Sequence, residues 1–202
     1  MPTREEIVTF DDSPPPPGEN GWLPTTGRRT DIKITDPDPD WPLLYDEFAA
    51  RIGQVLGWRA IQLEHVGSTS VPGLPAKPII DIDLTVADPN READYVPALE
   101  TIGYELVIRE PWWYAHRALT TDEPRSNLHV FGFDSPELVR HRIFRDWLRG
   151  NPDERDRYAA VKRQSADDAN ANSEHVMQYN ARKQQVLREI YHRAFVATGL
   201  TS

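Results

Sequence analysis

The chain has 202 residues, enough for one well-packed domain and cramped for two. Its apolar share of 39% and aromatic share of 9% fit a globular protein rather than a disordered one. With 23 Lys+Arg against 32 Asp+Glu the net charge is -9, which excludes a broad electrostatic grip on nucleic acid but not a local basic pocket. Cysteine is absent, so disulfides and thiolate metal sites are excluded. The first residues, MPTREEIVTFDD, are acidic and lack the apolar core of a signal peptide, and no run approaches the roughly 20 apolar residues of a membrane span. No membrane association is expected, and the cytoplasm is the expected address.

Residues 1–30 read as an acidic, Pro-rich extension with little regular structure and little part in the chemistry. Asp11-Asp12-Ser13-Pro14-Pro15-Pro16-Pro17-Gly18 favours polyproline II or coil, although Trp22 and Leu23 offer a means of docking on the body. Residues 31–202 read as one globular domain. Ile32-Lys33-Ile34 is a short strand candidate, and Asp40 caps a helix running to Leu56, where Gly57 stops it. Leu44, Phe48, Ile52 and Val55 form that helix's apolar stripe. Residues 60–66 alternate like a strand, 71–78 form a turn-rich loop, and 79–86 form a strongly apolar strand broken only by Asp81 and Asp83.

A helix ending near Ile102 follows, with Gly103 as its stop. Three further strands are expected over 104–109, 113–119 and 128–133. The last third is helical: Ser135-Pro136 and Asn151-Pro152 are start signals, Gly150 is a stop, and a final helix spans about 173–197. Val139, Ile143, Phe144, Trp147 and Leu148 make a stripe suited to core packing. The order predicts an α+β fold, a mixed sheet with helices packed on one side and a helical C-terminal third.

Two segments carry the chemistry. His65-Val66-Gly67-Ser68-Thr69-Ser70 lies at the end of a strand, where small residues expose backbone N–H groups and hydroxyls able to cradle phosphate. In Ile80-Asp81-Ile82-Asp83-Leu84 the period-two geometry puts Asp81 and Asp83 on one face. Paired carboxylates repel unless one is protonated or a cation sits between them, and Mg2+ (or Mn2+) suits oxygen ligands and a triphosphate alike. Phosphate turn plus carboxylate pair is a coherent design for nucleotidyl transfer.

Other residues admit two roles. Lys77 lies between turn and carboxylates, placed for a phosphate contact or for the surface. Tyr158/Lys162 and Tyr179/Lys183 each put a ring and an ammonium on one helix face, either solvated or converging on the cleft. His65 is as suited to holding backbone as to touching substrate. Arg109, Arg117 and Arg125 come from the sheet region, and the sequence does not sort ligand from surface among them.

Gly-Ser followed by Asp-x-Asp on a strand resembles the signature of the DNA polymerase beta-type nucleotidyltransferase superfamily. More closely, LEHVGSTSVPGLPAKPIIDIDLTV resembles the GrpB family, which shares that superfamily's fold. The likeness continues through Gly103-Tyr104, Asn127-Leu128-His129-Val130, Phe144-Arg145-Asp146-Trp147-Leu148, Tyr158-Ala159-Ala160-Val161-Lys162 and Tyr179-Asn180-Ala181-Arg182-Lys183, covering about residues 32–197.

The resemblance implies metal-dependent transfer of a nucleoside monophosphate from an NTP to an unidentified hydroxyl acceptor. Gly67, Ser68, Thr69 and Ser70 would then hold the triphosphate with Lys77, Lys162 and Lys183, and Asp81 and Asp83 would hold the metal. The superfamily's third carboxylate is missing. Its counterpart strand, Leu128-His129-Val130, offers His129, the candidate base at neutral pH. A nucleotide-binding module without turnover, or an interaction protein with a vestigial pocket, are the alternatives.

Overall fold

The computed structural model describes residues 1–11, 14–23 and 32–201. The expected boundary between extension and domain, near residue 30, lies outside the described residues, as does part of the acidic Pro-rich run. The elements are α1 (Arg4–Val8), α2 (Trp41–Leu56), β1 (Gln62–Val66), β2 (Ile80–Val86), α3 (Val96–Glu100), β3 (Glu105–Glu110), β4 (His116–Asp122), β5 (Arg125–Gly132), α4 (Pro136–Gly150), α5 (Pro152–Ala171) and α6 (Val176–Ala197).

The five strands form one mixed sheet in the order β1-β2-β5-β4-β3, with β2 and β5 parallel and the other pairs antiparallel. Alternation along β2 assigns its two faces. Ile80, Ile82, Leu84 and Val86 join Leu128 and Val130 of β5 against Phe48, Ile52 and Leu56 of α2, forming the main core. Asp81 and Asp83 point the other way. They share that face with Asn127 and His129 of β5, which lie opposite them in register.

The expectation of helices on one side of the sheet needs correction. The apolar face is covered by α2 and α3, and the polar face is approached by α4, whose His141 and Arg145 reach Asp83 and Glu64. A strand with isoleucines on one face and carboxylates on the other needs two chemically different covers, apolar on one side and cationic on the other.

Two local expectations also shift. Ile32–Ile34 is not a strand. Asn170 of α5 takes the place of a strand partner, its side chain accepting from Ile32 N–H at 3.2 Å and donating to Ile32 C=O at 2.9 Å. Nor is the extension without regular structure. Thr3 and Glu6 form a reciprocal capping box that starts α1, and Ile7 packs against Tyr191 and Phe195 of α6. Further on, Trp22 pairs with Ile108, extending the sheet past β3. The final helix begins at Val176 rather than near Ser173, capped by His175 through its ring nitrogen and by Gln178. Among the described residues no helix is long and apolar enough to cross a membrane.

Candidate functional site

A cavity of about 300 Å³ opens where the end of β1, β2, β5, α4, α5 and α6 meet. Its walls include Gly67, Ser68, Thr69, Lys77, Asp81, Asn127, His129, His141, Lys162, Tyr179 and Lys183. The phosphate-turn candidates, the first acid, the histidine and all three lysines singled out in the sequence are therefore brought together. Ser70 and Asp83 are not on that wall.

Gly67 has a positive φ of 65°, and a Cβ there would sit 2.3 Å from Asp81 Oδ2. The glycine is needed because the chain turns tightly against a carboxylate. The hydroxyls after it are largely committed to the fold. Ser70 Oγ donates to Gly67 C=O at 2.6 Å, and Thr69 Oγ1 donates to Ile79 C=O at 3.2 Å while meeting His65 Nε2 at 3.1 Å. His65 lies on the core side, stacked 4.7 Å from Tyr45, and so belongs to the scaffold. Burial, with Arg149 and Arg145 nearby, lowers it to about 4.

The two aspartates have different surroundings. Asp81 Oδ1 accepts from Asn127 Nδ2 at 2.8 Å, and burial raises its pKa against the pull of Asn127, Lys77 and Lys183. Asp83 is 1% exposed, and its two oxygens lie 2.9 and 3.1 Å from His141 Nδ1. Burial alone would lower His141, but the Asp83 carboxylate overrides it and pushes the imidazole up to about 9, so Asp83 faces an imidazolium at neutral pH.

Those contacts decide whether a divalent ion fits. Asp83 is already neutralised, Asp81 is met by an amide donor, and the position opposite on β5 supplies Asn127 rather than a third carboxylate. Among the described residues no cluster of three His, Asp or Glu side chains is arranged to hold a metal. As arranged, the set does not fit the Asp81/Asp83 magnesium site expected from the sequence, because the cation it needs is already present as His141.

The cavity's cations come from different elements. Lys183 Nζ lies 5.1 Å and Lys77 Nζ 5.4 Å from the Tyr179 ring centroid, on a shared aromatic platform. Lys162 Nζ donates to Pro75 C=O at 2.6 Å and lies 5.4 Å from the Tyr158 ring. Burial lowers Lys183 to about 8, with Asp81 partly restoring it. Burial, followed by Lys183, lowers Lys162 well below its usual value. The repeated Tyr-x-x-x-Lys spacing thus gives two ring–amine pairs, of which Tyr179/Lys183 faces the cavity with both members and Tyr158/Lys162 with its lysine alone.

His129 is half-buried at the cavity wall, and desolvation, then His116 and His141, push its pKa well down. Its Nδ1 meets His116 Nε2 at 3.1 Å, and His116 Nδ1 meets Glu110 Oε2 at 2.8 Å. Two of the three sheet arginines sort clearly. Arg117 and Arg109 both pair with Glu92, at 2.6 and 2.8 Å, away from the cavity.

The profile of the GrpB protein family matches residues 31–193. The chain belongs to the GrpB family. It is similar to the UPF0157 protein BH1888 of Halalkalibacterium halodurans, at 50% identity over 81% of this chain and 82% of that one. It is also similar in structure to a conserved GrpB protein from Enterococcus faecalis, with a TM-score of 0.72 and 30% identity. That match covers 82% of this chain and 99% of the other. A dephospho-CoA kinase of Mycolicibacterium paratuberculosis is 29% identical over 83% of this chain, but over only 47% of its own length. In this GrpB chain, His141 and Asn127 line the cavity without having been singled out from the sequence, and His116 and Glu110 stand behind His129. A buried Asp83 demands a cation, and that demand was the one signal pointing toward a residue such as His141.

Proposed function

We propose that this GrpB cavity binds a nucleoside triphosphate through its polyphosphate. One observation carries the reading: Lys77, Lys162, Lys183 and His141 converge on a cavity whose wall, among the described residues, carries a single carboxylate, Asp81. At about 300 Å³ the space is at the lower end for small-molecule sites, roomy enough for phosphates with the nucleoside toward the opening. Lys183 and Lys77 supply the countercharge, since His141 is paired with Asp83, while Lys162 shapes the floor and Asn127 is available to a phosphate oxygen if it turns from Asp81. An acidic chain with such a pocket attracts a polyanion only at short range.

A second reading is metal-dependent nucleotidyl transfer to a hydroxyl acceptor, the design the superfamily resemblance implies. What favours it is the shared face of Asp81 and Asp83, with Asp81 lying against Gly67. It requires His141 to release Asp83 when nucleotide and Mg2+ arrive together.

Titrating ATP, GTP, CTP and UTP with Mg2+ and with EDTA, by calorimetry and thermal shift, separates the readings. Binding that survives EDTA and is lost in Lys183→Met is the expected result. Binding that depends on Mg2+, accompanied by pyrophosphate release, selects nucleotidyl transfer. No stabilisation by any triphosphate at millimolar concentration overturns both.

A further inference from the structure

We propose that Glu110, His116 and His129 form a proton relay that fixes the tautomer of His129 and makes its Nε2 the base of the cavity. This rests on the reading that the cavity's ligand, or its acceptor, brings a hydroxyl to be deprotonated.

The relay is written into the sheet register. His116 lies opposite Glu110 across the β3–β4 pair, and His129 lies opposite Ala118, one step along on the same face. One face of three adjacent strands therefore carries a carboxylate and two imidazoles in sequence. The contacts are 2.8 Å from Glu110 Oε2 to His116 Nδ1 and 3.1 Å from His116 Nε2 to His129 Nδ1. The His116 ring is 3% exposed and stacks on both His129 and Phe131, with centroids at 5.3 and 4.8 Å, so it has little freedom to turn.

The hydrogen-bond roles follow from the carboxylate end. Glu110 accepts, so His116 Nδ1 carries a proton and, in the neutral ring, His116 Nε2 accepts. His129 Nδ1 must then be the donor, which leaves the lone pair on Nε2, the nitrogen not used by His116, on a ring that lines the cavity.

The transfer balances without a lasting second imidazolium. A ligand O–H bond breaks and an Nε2–H bond forms on His129. The Nδ1 proton of His129 passes to His116 Nε2, and the Nδ1 proton of His116 passes to Glu110. Both rings end neutral in the opposite tautomer, Glu110 ends protonated, and the negative charge stays on the ligand oxygen. Glu110's side chain is 29% exposed and can hand its proton to water. Such an arrangement suits this site. His129 faces His116 from β4 and His141 from α4, with Asp81 and Asp83 of β2 and the cavity lysines nearby. A lasting charge on His129 would oppose the His141 imidazolium, whose ring centroid is 6.2 Å away. The relay moves the proton to the far side of His116 instead.

Glu110 and His116 are positioning residues, so the test reads tautomers rather than turnover. Long-range 1H–15N spectra of the full chain labelled at histidine, recorded from pH 6 to 8, should show His129 neutral with its proton on Nδ1. In His116→Phe, which keeps the stacking, His129 should move to the Nε2–H form that free side chains favour. In Glu110→Leu the same shift should appear, and this half-exposed position serves if the His116 variant fails to fold. An Nε2–H tautomer in the parent, or a His129 tautomer unmoved by both variants, overturns the relay. ATP titrations of the same samples judge the nucleotide reading separately: no ATP binding by the parent removes that reading while the tautomers still decide the relay.

Discussion

At Gly67 the backbone lies against Asp81 with a φ of 65°, and a Cβ would stand 2.3 Å from Oδ2 and 2.8 Å from the aspartate's own Cβ. Gly67→Ala therefore adds left-handed strain of about 1–2 kcal/mol to an overpacking cost of about 1–3 kcal/mol. Urea unfolding should show a loss of roughly 2–5 kcal/mol by those figures, and a variant within 1 kcal/mol of the parent would mean that the turn is not held there. Lys183 gives the second residue-scale expectation. Its amine is lowered to about 8, so it loses charge as pH rises through that value. Affinity for inorganic triphosphate should fall between pH 7 and 9. Lys183→Met should bind weakly at pH 7 and show little of that fall, and a parent affinity flat across the range would remove Lys183 from the site.

Among the elements, α1 is the one whose importance the composition concealed. The Arg140 side chain of α4 is fully buried, and its Nε donates to Ile7 C=O at 2.8 Å while its terminal nitrogens reach the carbonyls of Glu6 and Thr9 and the Glu137 carboxylate. Removing Met1–Asp11 strips three carbonyl acceptors from a buried guanidinium and uncovers the α6 surface that holds Ile7. Leaving a buried charge short of partners costs roughly 3–5 kcal/mol. That truncation should lower unfolding free energy by about this amount, and Arg140→Met, which needs no acceptors, should recover part of it. If truncation costs the same in both backgrounds, the Arg140 coupling is absent.

The elements also show where the sequence was legible. The alternation of Ile80-Asp81-Ile82-Asp83-Leu84 displayed β2 and its two faces, because a period of two leaves no ambiguity in a strand half apolar and half charged. The Ser135 cap, the Gly67 turn and the two Tyr-x-x-x-Lys pairs were legible because their interactions lie within a few residues. Thr3-Arg4-Glu5-Glu6 spells a capping box too, but it was overshadowed by the proline run that follows. His141 was not legible. Its partner is 58 residues away, and on its own helix it sits among arginines beside an apolar stripe that drew the core reading. Nor could the helix layer's placement be read, since both covers of the sheet follow from long-range packing.

At the scale of the whole molecule, the His141–Asp83 pair joins the C-terminal helical layer to β2, an inner strand of the sheet, and makes stability depend on pH. His141 is raised from an ordinary 6.5 to about 9 in the fold. A raised histidine contributes fully below its unfolded pKa, and the contribution disappears as pH climbs through the folded value. Decline should begin near pH 6.5 and continue to about 9, with a ceiling of roughly 3 kcal/mol, of which about 2 falls between pH 6.5 and 8. Lys183 acts in the opposite sense only above its folded value of about 8, but Lys162, lowered well below its usual value, also acts in the opposite sense, so it is the difference between parent and a His141 variant that isolates His141. On the acid side the sign reverses. His65, lowered to about 4, and His129, lowered well below normal, are neutral in the fold while the unfolded chain takes up protons below pH 6.5. The contribution of these histidines to stability should therefore peak near pH 6.5 to 7 and fall on both sides. Urea unfolding at pH 5, 6.5 and 8 on the parent and on His141→Asn reads this directly. The variant should be less stable throughout and lose the decline between pH 6.5 and 8. Parallel curves for parent and variant between pH 6.5 and 8 would mean that His141 does not carry the proton holding α4 to β2.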